Sequence, residues 1–286
     1  MCIRDRILSL NLQRHEPPEI QTSNTYYQRI LDLSEENVTI KEELKEKADY
    51  YDLPYKLKPN PDHVLIVGCG AGNDAAAGLR NRAGQIDAVE IDPVILRFGH
   101  LLHPESPYNT TNVNSIVNDA RVFIRHTDKR YDLIVYGLLD SHTLLSGRSG
   151  GVRLDSFVYT TEAFREARSA LKPNGMICVT FGVIRPELGR KLFLMLQDAF
   201  DGKPPIAYQT QYDGGVTFVA GAGVQDAARR ISVDLAEVTD RFASETIEAD
   251  PSTDAVSYTH LTLPTLLLVE ISVGAVALKK RGGGGG

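Results

Sequence analysis

Tryptophan is absent from this 286-residue chain, and cysteine and methionine occur three times each. Thiols so few and so scattered, at Cys2, Cys69 and Cys178, exclude a disulfide framework and a cysteine-ligated metal centre. A reducing, cytoplasmic or cytoplasm-facing setting is the expectation, with no metal site. The chain also lacks a clean apolar run of the ~20 residues that a bilayer helix needs. Its best candidate, Leu261 to Leu278, has 18 residues and is broken by Pro264 and Glu270.

That run lies inside "VSYTHLTLPTLLLVEISVGAVALKKRGGGGG", Val256 to Gly286, which is related to the other end of the chain at the level of DNA. One legal coding of Met1 to Asp5 is ATG TGT ATA AGA GAC. Its reverse complement, GTC TCT TAT ACA CAT, encodes Val-Ser-Tyr-Thr-His, which is Val256 to His260. Two ends of a natural gene have no reason to be reverse complements, whereas an adapter ligated to both ends of a library fragment must be. The DNA resembles a sequencing adapter, and the chain reads as a metagenomic fragment. Residues 1–6 and 256–286 are therefore set aside, and the tail is expected to pack poorly against the domain. Setting them aside removes five basic and two acidic residues, leaving 26 Lys and Arg against 35 Asp and Glu, a net charge of −9. An acidic surface of this kind argues against general nucleic-acid binding, which depends on neutralising phosphates. Membrane attachment is expected only through residues upstream of Ile7.

From His63 onward, short apolar runs alternate with helical patterns, the signature of a parallel sheet wrapped by helices. "HVLIVG", "QIDAVEID", "VNSIVN", "YDLIVYG" and "MICVTF" read as five strands, each followed by a helical stretch. "IAYQT" and "GVTFVAG" read as a closing antiparallel pair around "YDGG". Thr160 or Thr161 is placed to cap the helix "TTEAFREARSALKPNG". The expected organisation is a β-rich appendage over 7–58, with "NTYYQRILDLS" and "NVTIKEEL" as strands, a nucleoside-binding domain over 59–223, and a helical segment over 224–255.

"VLIVGCGAGND" sets Gly68, Gly70 and Gly72 directly after the first strand, where glycines let the backbone turn sharply and approach a ligand. The spacing is G-x-G-x-G, and Asn73 stands where a dinucleotide fingerprint has its third glycine. An NAD-dependent oxidoreductase is thereby disfavoured. Glu90 ends the second strand, where a carboxylate can accept both ribose hydroxyls of a nucleoside. Asp119 follows the third strand, where it can accept an adenine amine or simply cap "ARVFIRH". Three such features at three successive strand ends point to an adenosine pocket.

These residues resemble class I S-adenosylmethionine enzymes, and more closely their spermidine synthase-like branch. The resemblance rests on the order of "YYQRILDLS", "VLIVGCGAGN", "AVEIDPVIL", "NDARVFI", "YDLIVYGLLDS" and "FVYTTEAFREARSALKPNG", over residues 24 to 221. It implies a Rossmann-like class I methyltransferase fold, with a mostly parallel seven-stranded sheet. It further implies that Gln28, Gly68, Gly70, Gly72, Glu90, Asp119 and Ala120 line the site of S-adenosylmethionine or its decarboxylated form, and that the amino-terminal hairpin closes over it. The activity implied is transfer of a methyl or aminopropyl group to a small nucleophile such as an amine, in a chain compatible with a homodimer.

Two positions depart from the branch. Its strand-end aspartate, which takes a proton from the acceptor amine, corresponds to Gly137, and only a second acid three residues on survives, as Asp140. The aspartate of its glycine loop, which holds the donor amine, corresponds to Ala71. Asp74 or Asp140 stands near enough to substitute by a small shift. The branch's polyamine-binding stretch is not recognisable around "ADYYDLPYKL". The connection from Leu138 to Phe157 is where an acceptor is expected, with Asp140 and His142 as catalytic candidates and Tyr27, Arg148, Arg153 and Asp155 as substrate-binding ones. A binding module of the same fold without catalysis is the alternative, motivated by Gly137.

Overall fold

The computed structural model describes residues 8–11, 17–22, 25–139, 157–210, 212, 214–224, 227, 228 and 235–255. The expected adapter-like ends therefore lie outside the described residues, and so do Asp140, His142, Arg148, Arg153 and Asp155.

The first strand of the large sheet, β4 (His63–Val67), shows why its sequence is continuously apolar. Successive side chains point to opposite faces, so Val64 and Ile66 enter one core cluster while Leu65 and Val67 enter the other. A strand covered on both faces needs no polar alternation. The remaining strands are β5 (Gln85–Glu90), β6 (Val113–Val117), β7 (Tyr131–Tyr136), β8 (Leu171–Gly182), β9 (Ile206–Gln209), β10 (Gly215–Gly221) and β11 (Ala236–Glu237). Their order is β11-β9-β10-β8-β7-β4-β5-β6. From β6 to β8 neighbours are parallel, and β10 runs antiparallel to both β8 and β9. This is the expected seven-stranded sheet with its closing hairpin, extended by the two-residue β11 on β9.

The helices are α3 (Asn73–Arg80), α4 (Pro93–Leu102), α5 (Ala120–His126), α6 (Thr161–Ser169) and α7 (Pro186–Ala199). Their starts follow local chemistry. Asp92 caps α4 by accepting from Val94 N at 2.8 Å, with Pro93 in the first turn. Thr160 caps α6 by accepting from Ala163 N at 3.1 Å. After β6 the chain crosses back to place β7 on the far side of β4. Ligands of open parallel sheets sit in the crevice that such a reversal opens at the strands' carboxyl ends. Val67 pairs with Tyr136, so Gly68 and Gly137 end two adjacent strands at that crevice.

The amino-terminal appendage is a three-stranded antiparallel sheet, β1 (Leu8–Asn11), β2 (Glu19–Thr22) and β3 (Thr25–Arg29), followed by helix. "NVTIKEEL", expected as a strand, is instead α1 (Glu35–Ile40) and a short 3-10 turn over Glu42–Leu44. Glu35 and Glu36 lie in the first turn of α1, where the helix dipole favours negative charge. That preference outweighs the β-branched Val38, Thr39 and Ile40. "ADYYDLPYKL" falls on α2 (Lys45–Leu57), which buries Tyr50, Tyr51, Leu53, Tyr55 and Leu57 against the sheet domain.

In the segment over 224–255, expected to be helical, Val224, Ala227 and Ala228 are helical, and the short helix α8 (Thr239–Ala243) follows β11. Its shape is set by side-chain anchors. Phe242 is fully buried, lies against Phe218 with tilted rings 5.3 Å apart between centroids, and fills the space that the missing side chain of Gly189 leaves on α7. Farther on, the Ser252 carbonyl accepts from Thr161 N at 2.9 Å, and Asp254 meets Arg121. The Arg121 guanidinium donates from Nη2 to Asp254 Oδ2 at 2.7 Å and from Nε to Glu166 Oε2 at 2.8 Å. Its side chain is 8% exposed against 39% for that of Asp254, so the pair is worth less than a wholly buried one. Arg121→Met is expected to cost about 2 kcal/mol in urea unfolding and to expose the stretch after Phe242 to faster proteolysis.

Candidate active site

The site is built on the turn from β4 into α3. Gly68, Gly70 and Gly72 take φ of 68°, 55° and 113°, the left-handed region that favours glycine. The turn is also crowded. A Cβ at Gly70 would stand 2.5 Å from Gln28 Oε1, and one at Gly68 would overlap Leu139.

Four side chains hold this turn. Glu90, at the end of β5, is 3% exposed and accepts from Gly70 N at 2.9 Å through Oε2 and from Asp92 N at 2.9 Å through Oε1. Burial raises its pKa, while the backbone bonds oppose that rise. Each carboxylate oxygen has a second lone pair for a hydroxyl donor. Gln28, on β3, accepts from Ala71 N at 2.9 Å. Tyr108 donates its hydroxyl to the carbonyls of Gly70 at 2.9 Å and Cys69 at 3.1 Å. Asn73, 1% exposed, accepts from Leu31 N at 3.0 Å and donates to the Arg29 carbonyl at 2.9 Å and the Tyr51 hydroxyl at 3.0 Å. The residue that replaces the dinucleotide glycine is thus a clamp between the glycine turn and the appendage.

The structure brings Gln28, Gly70 and Glu90 into one hydrogen-bonded group around the glycine turn, with Gly68 and Gly72 in the same turn. Asp119 ends the loop after β6 and caps α5, accepting from Val122 N at 3.0 Å through Oδ1. Ala120 is the first residue of α5. Tyr27 lies on β3, and its side chain lies outside the described ones. Ala71 is fully buried in a small apolar cluster with Ile20, Ile30 and Ile95. Cys69 is buried as well, and burial pushes its thiol pKa well up, which makes it an inert packing residue.

Asp74, in the first turn of α3, is 8% exposed, and burial raises its carboxyl pKa to about 7. A Cβ at Gly137 would stand 3.0 Å from its Oδ2. Two residues far apart in sequence therefore share one place at the crevice between β4 and β7. Tyr108, by contrast, carried no signal in the sequence. Its role depends on the short 3-10 turn Pro107–Asn109 folding back beneath the glycine loop. Among the described residues, no group of three or more His, Cys, Asp or Glu is arranged to hold a metal ion, and no helix is long and apolar enough to cross a membrane.

A polyamine aminopropyltransferase of Sulfolobus acidocaldarius is 28% identical over 120 residues, covering 41% of this chain and 37% of that protein. One from Ruegeria sp. is 25% identical over 208 residues, covering 70% of this chain and 69% of that protein. The chain spans little more than a third of the Sulfolobus relative and 35% of a relative from Korarchaeum cryptofilum. Among solved structures, spermidine synthase from Thermotoga maritima superposes with a TM-score of 0.58 at 14% identity, over 91% of this chain and 81% of that one. A probable spermidine synthase from Corynebacterium glutamicum gives 0.54 at 14%, over 87% and 94%. At such identities these two likenesses establish the fold. Residues 43–200, more than half of the chain, match the spermine/spermidine synthase domain, and the chain belongs to that family.

Proposed function

We propose that the chain transfers an aminopropyl group from decarboxylated S-adenosylmethionine to a small amine. The observation that carries this reading is Glu90, a buried carboxylate held by two backbone N–H groups beside a glycine turn in the left-handed region. In that position it can accept the two ribose hydroxyls of a nucleoside donor, with Gly68, Gly70 and Gly72 allowing close approach and Asp119 and Ala120 at the base end. The curated relatives named above are aminopropyltransferases, and a structural neighbour with a TM-score of 0.57 is a spermidine synthase bound to the transition-state analogue AdoDATO. Alkyl transfer from a sulfonium asks little of the protein beyond alignment, because the cation is already an activated leaving group.

Ala71 favours a second reading at the donor end. Its apolar cluster with Ile20, Ile30 and Ile95 offers no carboxylate to a donor amine at that place. A donor that keeps its own carboxylate, S-adenosylmethionine itself, would then be used for methyl transfer. Calorimetry with both donors separates the two, and tighter binding of the decarboxylated form is expected; binding of neither would end the transferase reading. Glu90→Gln is expected to weaken the preferred donor by about tenfold to a hundredfold, equivalent to ~1.4–2.7 kcal/mol lost from hydroxyl hydrogen bonds to a charged acceptor. Unchanged affinity in that variant would remove the ribose role of Glu90.

A further inference from the structure

Asp74 is a buried carboxylate at the crevice with no salt bridge to a cation among the described residues. The groups around it are Tyr50 and Tyr55 from α2, Cys69 of the glycine turn, Tyr108, and Arg80 one α3 turn and a half away. Four of these five are neutral at pH 7, and Arg80 is engaged elsewhere, with Glu105 Oε2 at 2.7 Å and Asp52 Oδ1 at 3.4 Å. Leaving an acid buried in such company is costly unless it has a task. Its Oδ2 lies 3.0 Å from where the first side-chain atom of residue 137 would be. Gly137 ends β7, next to the end of β4 that carries the donor-binding turn.

Resting on the transferase reading above, we infer that Asp74 is the carboxylate that receives the proton of the acceptor amine, from the place left open by Gly137. The step balances simply. The acceptor ammonium gives one proton to the Asp74 carboxylate, and the nitrogen lone pair forms the new C–N bond. The C–S bond of the sulfonium donor breaks with its pair going to sulfur, leaving a neutral thioether nucleoside. A carboxyl whose pKa lies near 7 is matched to taking a proton at neutral pH. A Cβ at 137 would press on Asp74 Oδ2, which would have to give way, so a glycine there leaves room for the acid at 74.

The test uses the full chain with decarboxylated S-adenosylmethionine and 1,4-diaminobutane or spermidine. Asp74→Asn is expected to lower kcat by about 10²–10⁴-fold, to remove the acid limb near pH 7 from the kcat/KM profile, and to leave donor affinity by calorimetry within threefold. Combining Asp74→Ala with Gly137→Asp is expected to recover at least tenfold over Asp74→Ala alone. Asp74→Asn should also fold. A carboxyl whose folded pKa is raised above its unfolded value destabilises the chain as pH rises through that window, so Asp74→Asn should raise the thermal midpoint more at pH 8 than at pH 4. Turnover retained within threefold in Asp74→Asn overturns the inference, as does a double variant no faster than Asp74→Ala. Joint loss of donor affinity makes Asp74 a donor anchor and overturns it too. Parent protein that binds the donor but alkylates neither amine overturns the inference while keeping the nucleoside site, and parent that binds no donor overturns both readings.

Discussion

The structure depends on Asn73. Its side chain is buried with both its oxygen and its nitrogen satisfied, by Leu31 N, the Arg29 carbonyl and the Tyr51 hydroxyl. Through these bonds it ties the start of α3 to the strand side of the appendage and to α2 at once. A buried amide left with unmet hydrogen bonds is expensive, so the appendage and the sheet domain are obliged to meet at this one point. Gln28, two residues before the chain reaches Ile30, is thereby delivered to Ala71 N, and the tyrosines of α2 are delivered to Asp74. The departure from a dinucleotide fingerprint is thus the element that makes the site composite, with walls drawn from both parts of the chain.

Much of this was legible in the sequence. Continuous apolar runs such as "HVLIV" specify strands with both faces covered, and the alternation with helices specifies their parallel order. Of the two caps offered for "TTEAFREARSALKPNG", the structure uses Thr160. Glu90 could be placed because a strand end has a fixed geometry relative to a glycine turn that follows the neighbouring strand. What could not be read depends on contacts across the sheet or on competing local preferences. "NVTI" carries the β-branched residues of a strand, yet the two glutamates before it start a helix. Tyr108 and Arg121 act on partners distant in sequence, and no periodicity announces them.

The relation of Asp74 to Gly137 shows the limit most plainly. Each residue was visible in the sequence, an acid that could substitute by a small shift and a glycine where an acid was expected. Their coincidence follows only from topology, because the crossover that brings β7 back beside β4 also brings residue 137 against the first turn of α3. The chemistry of the crevice is therefore a property of the strand order rather than of any one motif. Ala71 fits the same view, since its apolar surroundings come from β2, α4 and the residue after β3, three elements that meet only in the folded chain.

The bonds of Glu90 to Gly70 N and Asp92 N carry a thermodynamic consequence. They fix two loops to one carboxylate. On the proposed donor reading, a nucleoside would find its hydrogen-bond acceptors already aimed, with the conformational entropy of ordering those loops spent during folding rather than at association. On the proposed transferase reading, binding energy gathered along the ribose would then be left over for aligning the reacting carbon with its nucleophile, the one service that sulfonium chemistry asks of its catalyst.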